Sequence, residues 1–229
     1  MRFRAAGAAV VAVLALAACA ASGSSPGSSS SAALASASAA QPTASPTPAA
    51  SFAPIKLSGH GNKVPRFTIP EAEAAIATIT NKGSANFVVT SLAADGSENE
   101  LLVNEIGNYS GTVLFDASSG QHSVAFKVES DGTWAITIKP LSAAKTWDPA
   151  TPLTGRGDEV VALSPAVSGL MTATISHKGA ANFVVYAYSP SGGDLLVNEI
   201  GNFSGEEALP DGTYLLQINA DGTWTVTPT

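Results

Sequence analysis

The polar side chains with the strongest claim to chemistry in this sequence sit in a block that occurs twice. LLVNEIGNYSG at 101–111 recurs as LLVNEIGNFSG at 195–205, with one residue different in eleven. The first copy offers Asn104, Glu105 and Asn108 with Tyr109 beside them, and the second offers Asn198, Glu199, Asn202 and Phe203. Carboxylate and amide oxygens at this spacing could form a ligand-facing patch or a site for a hard cation. The same residues could instead be scaffold, with Asn108-Tyr109-Ser110-Gly111 as a turn and Asn104 satisfying nearby backbone. The scaffold reading is preferred, because corners of β-structure need such side chains and a duplication can keep a block without selection.

Other reactive groups are sparse. The three histidines, His60, His122 and His177, have no counterpart histidine in the other copy, where Arg156, the region near Tyr214 and Asn81 stand instead. No His-Glu-x-x-His or similar ligand spacing exists, so each is expected in a surface loop. Gly23-Ser24-Ser25-Pro26-Gly27 fits a hydrolase elbow by letter but lacks the strand and helix that the elbow requires. Arg156-Gly157-Asp158 spells an integrin tripeptide, yet it fills a position where the other copy has His60-Gly61-Asn62, which reads as coincidence. Asp158 and Glu159 face Asn62 and Lys63 in the alignment, which weakens a shared calcium site. Neither a catalytic set nor a cofactor or metal motif emerges. The acidic balance (formal charge −7), without a Lys/Arg cluster, argues against nucleic acid as a partner.

These residues need a frame, and the repeat supplies it. ATI at 77–79 recurs at 173–175, KGSANFVV at 82–89 as KGAANFVV at 178–185, and DGTW at 131–134 at 221–224. The offset shrinks only between matched blocks, as it would if loops shortened between fixed strands. Short alternating runs, such as Thr133-Trp134-Ala135-Ile136-Thr137-Ile138, predict strands. Further strands are expected at Ile76–Thr80, Asn86–Leu92, Leu101–Ile106, Thr112–Phe115 and Ser123–Val128, and an edge strand at Lys63–Ile69, where Pro65 removes a donor. Glu71–Ala75 could form a helical turn. The fold class is therefore all-β: two tandem small antiparallel β-sandwiches of jelly-roll-like form, at 55–141 and 153–229, joined by a connector at 142–152. Trp134 and Trp224 alternate with Ile136, Ile138 and Val226, which predicts core burial rather than a sugar-stacking role. Trp147, in the connector, either packs between the two sandwiches, which is the expectation, or offers an exposed aromatic to a ligand.

The N-terminus carries an address. Arg2 and Arg4 precede an apolar run, Ala5–Ala18, that is too short for the ~20 residues of a membrane-spanning helix. It ends in Leu16-Ala17-Ala18-Cys19, which resembles the lipobox of bacterial lipoproteins and contains the chain's one cysteine. That resemblance implies a signal peptide at 1–18, a diacylglyceryl group on Cys19, palmitate labelling, and attachment to the extracytoplasmic face of a cell membrane. Residues 20–54 are nearly all Ala, Ser, Pro, Thr and Gly, the composition of a disordered spacer. With the lipidated cysteine, 19–54 would hold the rest about 30 Å from the membrane.

The Gly59-His60-Gly61 and Gly155-Arg156-Gly157 openings, with NFVV, LLVN-x-IG and DGTW, resemble repeat domains of secreted proteins and lipoproteins from high-GC Gram-positive bacteria. Gly212-Thr213-Tyr214 leading into Asp221-Gly222-Thr223-Trp224 is also similar to the bacterial pre-peptidase C-terminal jelly-roll. Neither family implies a catalytic site. The expected function is a membrane-anchored lipoprotein displaying non-catalytic sandwiches that bind a ligand, an envelope polysaccharide or another envelope protein. The alternatives are an enzyme with its site between the two sandwiches, in which Glu105 and Glu199 converge, and a purely structural envelope protein.

Overall fold

The computed structural model describes residues 52–70, 74–118 and 120–229. Cys19, the signal segment and the spacer up to residue 51 lie outside these, as does most of the helical turn expected at 71–75. Among the described residues no helix is long and apolar enough to cross a membrane.

The chain is all-β. The first copy supplies seven strands: β1 (Ile55–His60), β2 (Ala75–Lys82), β3 (Asn86–Leu92), β4 (Glu98–Ile106), β5 (Tyr109–Phe115), β6 (Ala125–Glu129) and β7 (Thr133–Pro140). They form two antiparallel sheets, ordered β1-β7-β2-β5 and β4-β3-β6. After a single 3-10 turn at Leu141–Ala143 come β8 (Lys145–Trp147), β9 (Leu153–Arg156), β10 (Glu159–Leu163) and β11 (Met171–Lys178). The chain ends with β12 (Asn182–Ser189), β13 (Gly192–Ile200), β14 (Phe203–Leu209), β15 (Leu215–Ala220) and β16 (Thr223–Pro228). Their sheets are β14-β11-β16-β9 and β13-β12-β15-β10-β8.

Alternation decides which face is buried. On β7, Trp134, Ile136 and Ile138 are buried while Ala135 and Thr137 between them are exposed and half-buried respectively, and β2 lays Ile79 against Ile136 and Ala77 against Ile138. One apolar cluster joins these to Phe87, Val89, Phe126 and Val128 of the facing sheet. A second joins Trp224 and Val226 to Ile175, Phe183, Val185 and Ile218. Burying such alternating faces between two sheets is what makes the short strands stable.

The G-x-G and DGTW repeats are two halves of one device. A Cβ at Gly59 would overlap the indole of Trp134, and one at Gly155 that of Trp224. The second glycine of each opening has positive φ (+67° at Gly61, +70° at Gly157), and its carbonyl accepts the indole N–H at 2.9 Å in both copies. Each tryptophan is thus buried with its one donor satisfied, as the alternation predicted.

Four local expectations are corrected. Strand β1 has no counterpart among the expected strands, although its residues alternate half-buried and exposed along its length. The segment at Lys63–Ile69 forms only isolated bridges, Lys63 to Val128 and Arg66 to Ala125, because Pro65 interrupts the ladder; its counterpart β10, free of proline, is a full strand. Tyr109–Gly111 is strand rather than turn, the reversal being made at Gly107, whose φ is +86°. The connector is not merely a link, since β8 pairs in parallel with β10 and extends the second copy's sheet. Trp147 consequently packs in the second copy's own core, with its indole N–H donating to the Thr151 carbonyl at 2.8 Å, and not between the copies.

The described residues form one compact unit. A third apolar cluster fastens the copies together: Ile76 on β2 and Leu114 on β5 pack with Ala144, with Val160 on β10 and with Leu215 on β15. The outer face of one copy's sheet therefore meets the outer face of the other copy's opposite sheet. The equivalent positions at the far side, Thr172 and Ala208, are polar or small, and Ala208 is exposed.

Candidate functional site

The seam between the copies is where the duplicated block acquires a distinct role. Tyr109, the single residue by which the two blocks differ, donates its hydroxyl proton to Asp158 Oδ2 at 2.6 Å. Asp158 Oδ1 accepts the Ala220 N–H at 2.8 Å, and the Asp158 carbonyl accepts the Thr112 N–H at 2.9 Å. In the first copy Asn62 Oδ1 makes the corresponding internal bond to Ser130 N–H at 2.9 Å. The carboxylate thus keeps the amide's local function and gains a second oxygen, which the tyrosine takes. Gly111 leaves room for the hydroxyl, since a Cβ there would overlap it. Burial pushes the Asp158 carboxyl above its ordinary value, opposed by the bonds from Tyr109 and Ala220. The Tyr109 hydroxyl is also pushed up, first by burial and then by the Asp158 charge, so it stays a donor.

Among the described residues, three clefts along this seam are lined by both copies. One, of about 450 Å³, is lined by Thr78, Thr112, Lys139, Lys145, Arg156 and Glu159 among others; the Lys145 ammonium sits 2.9 Å from Glu159 Oε2. A second, of about 480 Å³, holds Glu105, Asn108, Tyr109, Arg156, Asp158 and Asp221. Burial raises the Glu105 carboxyl, and the charges of Asp158 and Asp221 raise it further. No group of three or more His, Cys, Asp or Glu placed to hold a metal exists among the described residues. The third cleft, of about 400 Å³, is walled by Glu100, Leu101, Leu102 and Leu114 from the first copy and by Val184, Tyr186, Tyr188, Gln217 and Asn219 from the second. Tyr188 donates to Gln217 Oε1 at 2.9 Å, and its hydroxyl is pushed up to about 12 by burial and then by Glu100.

The structure separates the two candidate clusters. Glu105, Asn108 and Tyr109 line the second cleft, whereas Asn202 and Phe203 border a different, shallow recess beside Ser176 and His177. Glu105 and Glu199 do not converge: Glu199 stands exposed on β13, the outermost strand of its sheet. Asn104 and Asn198 are exposed and make no side-chain hydrogen bond among the described residues, so the expected backbone-satisfying role of Asn104 is not found. Asn202 does act as scaffold, accepting the Gly179 N–H at 3.2 Å.

His177 also departs from expectation. It is 1% exposed, lies flat on Phe183 with ring centres 4.4 Å apart, and donates from Nδ1 to the Gly201 carbonyl at 2.7 Å. Asn81 performs this duty in the first copy, donating to the Gly107 carbonyl at 2.7 Å. Nε2 lies 3.3 Å from Asp221 Oδ1 without a well-directed hydrogen bond. His60 closes β1 and His122 lies in a loop; both are exposed. The Arg-Gly-Asp tripeptide is not free for recognition, because its aspartate is spent on Tyr109 and Ala220.

Sequence reasoning missed Tyr186, Tyr188, Gln217 and Asn219. A signal was available where the copies diverge: NFVVYAYS stands where the first copy has NFVVTSLA.

No family model matches the sequence, and comparison with curated proteins finds none that matches. Among solved structures, the stem and receptor-binding domain of the spike protein P1 from bacteriophage PM2 is similar at 9% identity over 81% of this chain and 81% of that one. The TM-score is 0.17, which supports no argument about this chain.

Proposed function

We propose that the chain is a lipoprotein held by Cys19 on the extracytoplasmic face of a cell membrane, where its paired β-sandwiches bind a component of the cell envelope. The observation that carries this reading is the seam. Clefts lined by both copies occur along a boundary closed by its own apolar cluster and by the Tyr109–Asp158 bond. Preformed concavities with a few convergent polar groups are the usual form of binding sites. The Leu16-Ala17-Ala18-Cys19 motif and the Ala/Ser/Pro/Thr spacer support display away from a bilayer. Duplicated scaffold with diverged cleft residues fits a binding module better than a passive structural one.

Two measurements test it. Labelled palmitate should enter the wild-type protein and not Cys19→Ser, and the full chain should be retained on isolated envelope material. Absence of label, or an untethered protein that passes through envelope material unretarded, would overturn the proposal.

A further inference from the structure

We infer that the cleft between β4 and the β12–β15 pair takes a segment of a neutral polysaccharide, with Tyr186 as the platform for a sugar ring. This rests on the binding-module reading above and deepens it by naming the site and the ligand class.

The comparison between copies carries the argument. In the first copy the corresponding face bears Thr90, Leu92, Lys127 and Glu129, and the Lys127 ammonium bridges Glu98 at 3.2 Å and Glu129 at 3.0 Å. Its charged groups are solvated, Thr90 is buried, and no aromatic ring stands there. The second copy replaces that set with Tyr186, Tyr188, Gln217 and Asn219 while leaving the scaffold blocks around it nearly unchanged. Some of the change serves the seam, because Tyr188 packs on the apolar cluster that joins the copies. Tyr186 does not belong to that cluster, and Gln217 reaches it only through the hydrogen bond it accepts from Tyr188.

What they offer is specific in kind. The rings of Tyr186 and Tyr188 lie 6.4 Å apart and 40° tilted, both half-buried, so each presents an apolar face and a polar tip. Two amides stand beside them: Gln217 accepts from Tyr188 and donates to Asn219 at 3.4 Å, and the N–H groups and lone pairs left over can meet a sugar hydroxyl, itself donor and acceptor. Leu101, 61% exposed at the opposite wall, gives an apolar surface for ring C–H groups. The charged group of the cleft, Glu100, is a carboxylate whose Oε2 accepts the Asp116 N–H at 3.0 Å, which disfavours an anionic chain. A site of about 400 Å³ lies within the range of small-molecule clefts and suits a short stretch of polymer.

The test uses the full chain and a panel of neutral hexasaccharides of glucose, mannose, xylose and arabinose, with a hyaluronan hexasaccharide as the anionic control, read by calorimetry. At least one neutral hexasaccharide should bind and the anionic one should not. Tyr186→Ala should weaken binding by about tenfold or more, while Tyr186→Phe should keep it within about threefold. Near-ultraviolet circular dichroism should show both variants folded. Binding of no neutral member, equal binding of hyaluronan, or indifference to Tyr186→Ala would overturn the inference. Should envelope retention persist unchanged in Tyr186→Ala, the binding-module proposal survives and this site assignment fails; loss of retention in the wild-type chain sinks the proposal itself.

Discussion

The two LLVNEIGN blocks have almost the same sequence and live in different surroundings. At the first, Tyr109 reaches across to Asp158 of the other copy, and its strand β5 carries Leu114 into a buried seam. At the second, Phe203 borders an open recess, and Ala208, the counterpart of Leu114, is exposed. One hydroxyl and two apolar side chains, Ile76 and Leu114, distinguish the face that forms an interface from the one that does not. Duplicated sequence therefore reports what builds a sandwich, and the departures from it report what each copy is used for.

Breaking the seam at its apolar centre should have the largest effect. Leu114→Asp buries an unpaired charge and should cost about 3 kcal/mol or more in chemical denaturation, whereas Ala208→Asp should stay within about 0.5 kcal/mol. Equal costs would erase the distinction between the two faces. The hydroxyl comes next. Tyr109→Phe removes a bond to a carboxylate and should cost about 1–3 kcal/mol, while Phe203→Tyr, which has no partner to meet, should be neutral to within about 0.5 kcal/mol. A Tyr109→Phe variant as stable as wild type would show that packing alone holds the copies together.

Asp158→Asn sharpens the same comparison by giving the second copy the first copy's residue. The amide oxygen can still accept the Ala220 N–H, and the amide NH2 can donate to the Tyr109 hydroxyl in place of the bond it loses, so stability near neutral pH should change by less than about 1 kcal/mol. Its pH dependence should change more. A carboxyl raised in the folded state favours the folded protein when protonated, and that contribution is lost as pH rises through the folded value. Relative to Asp158→Asn, the wild type should thus gain thermal stability on going from about pH 7 toward about pH 4.5; Glu105 and Glu100 act in the same direction, and Asp95, Asp131 and Asp221, held below their ordinary values by hydrogen bonds, act against it in both proteins. A difference between the two proteins that does not change with pH would remove Asp158 from the account.

Much of the fold was legible because period-two alternation and the repeat point to the same strands. Asn86–Leu92 begins and ends where expected, and both DGTW tryptophans are buried. The failures have physical causes. β1 was overlooked because its glycine-rich end reads as turn, whereas Gly59 is there to let the Trp134 ring lie on the strand. His177 was assigned to a loop because histidine is usually exposed, but the position demands a donor to a turn carbonyl, which an asparagine supplies in the other copy. The seam was hidden because it joins faces of unlike sheets, which no local pattern encodes; its marks are differences between the copies, Tyr109 against Phe203, Asp158 against Asn62 and Leu114 against Ala208. The tyrosines of the third cleft stand where the copies diverge, outside the blocks that the repeat makes legible.

The central claim is that the two copies bind as one unit across their seam. The direct measurement is retention of the full chain on isolated envelope material, compared between wild type and Leu114→Asp, with hydrogen exchange confirming that strands such as β3 and β12 stay protected. Loss of retention with both cores intact is the predicted result. Undiminished retention after the seam is opened would contradict it.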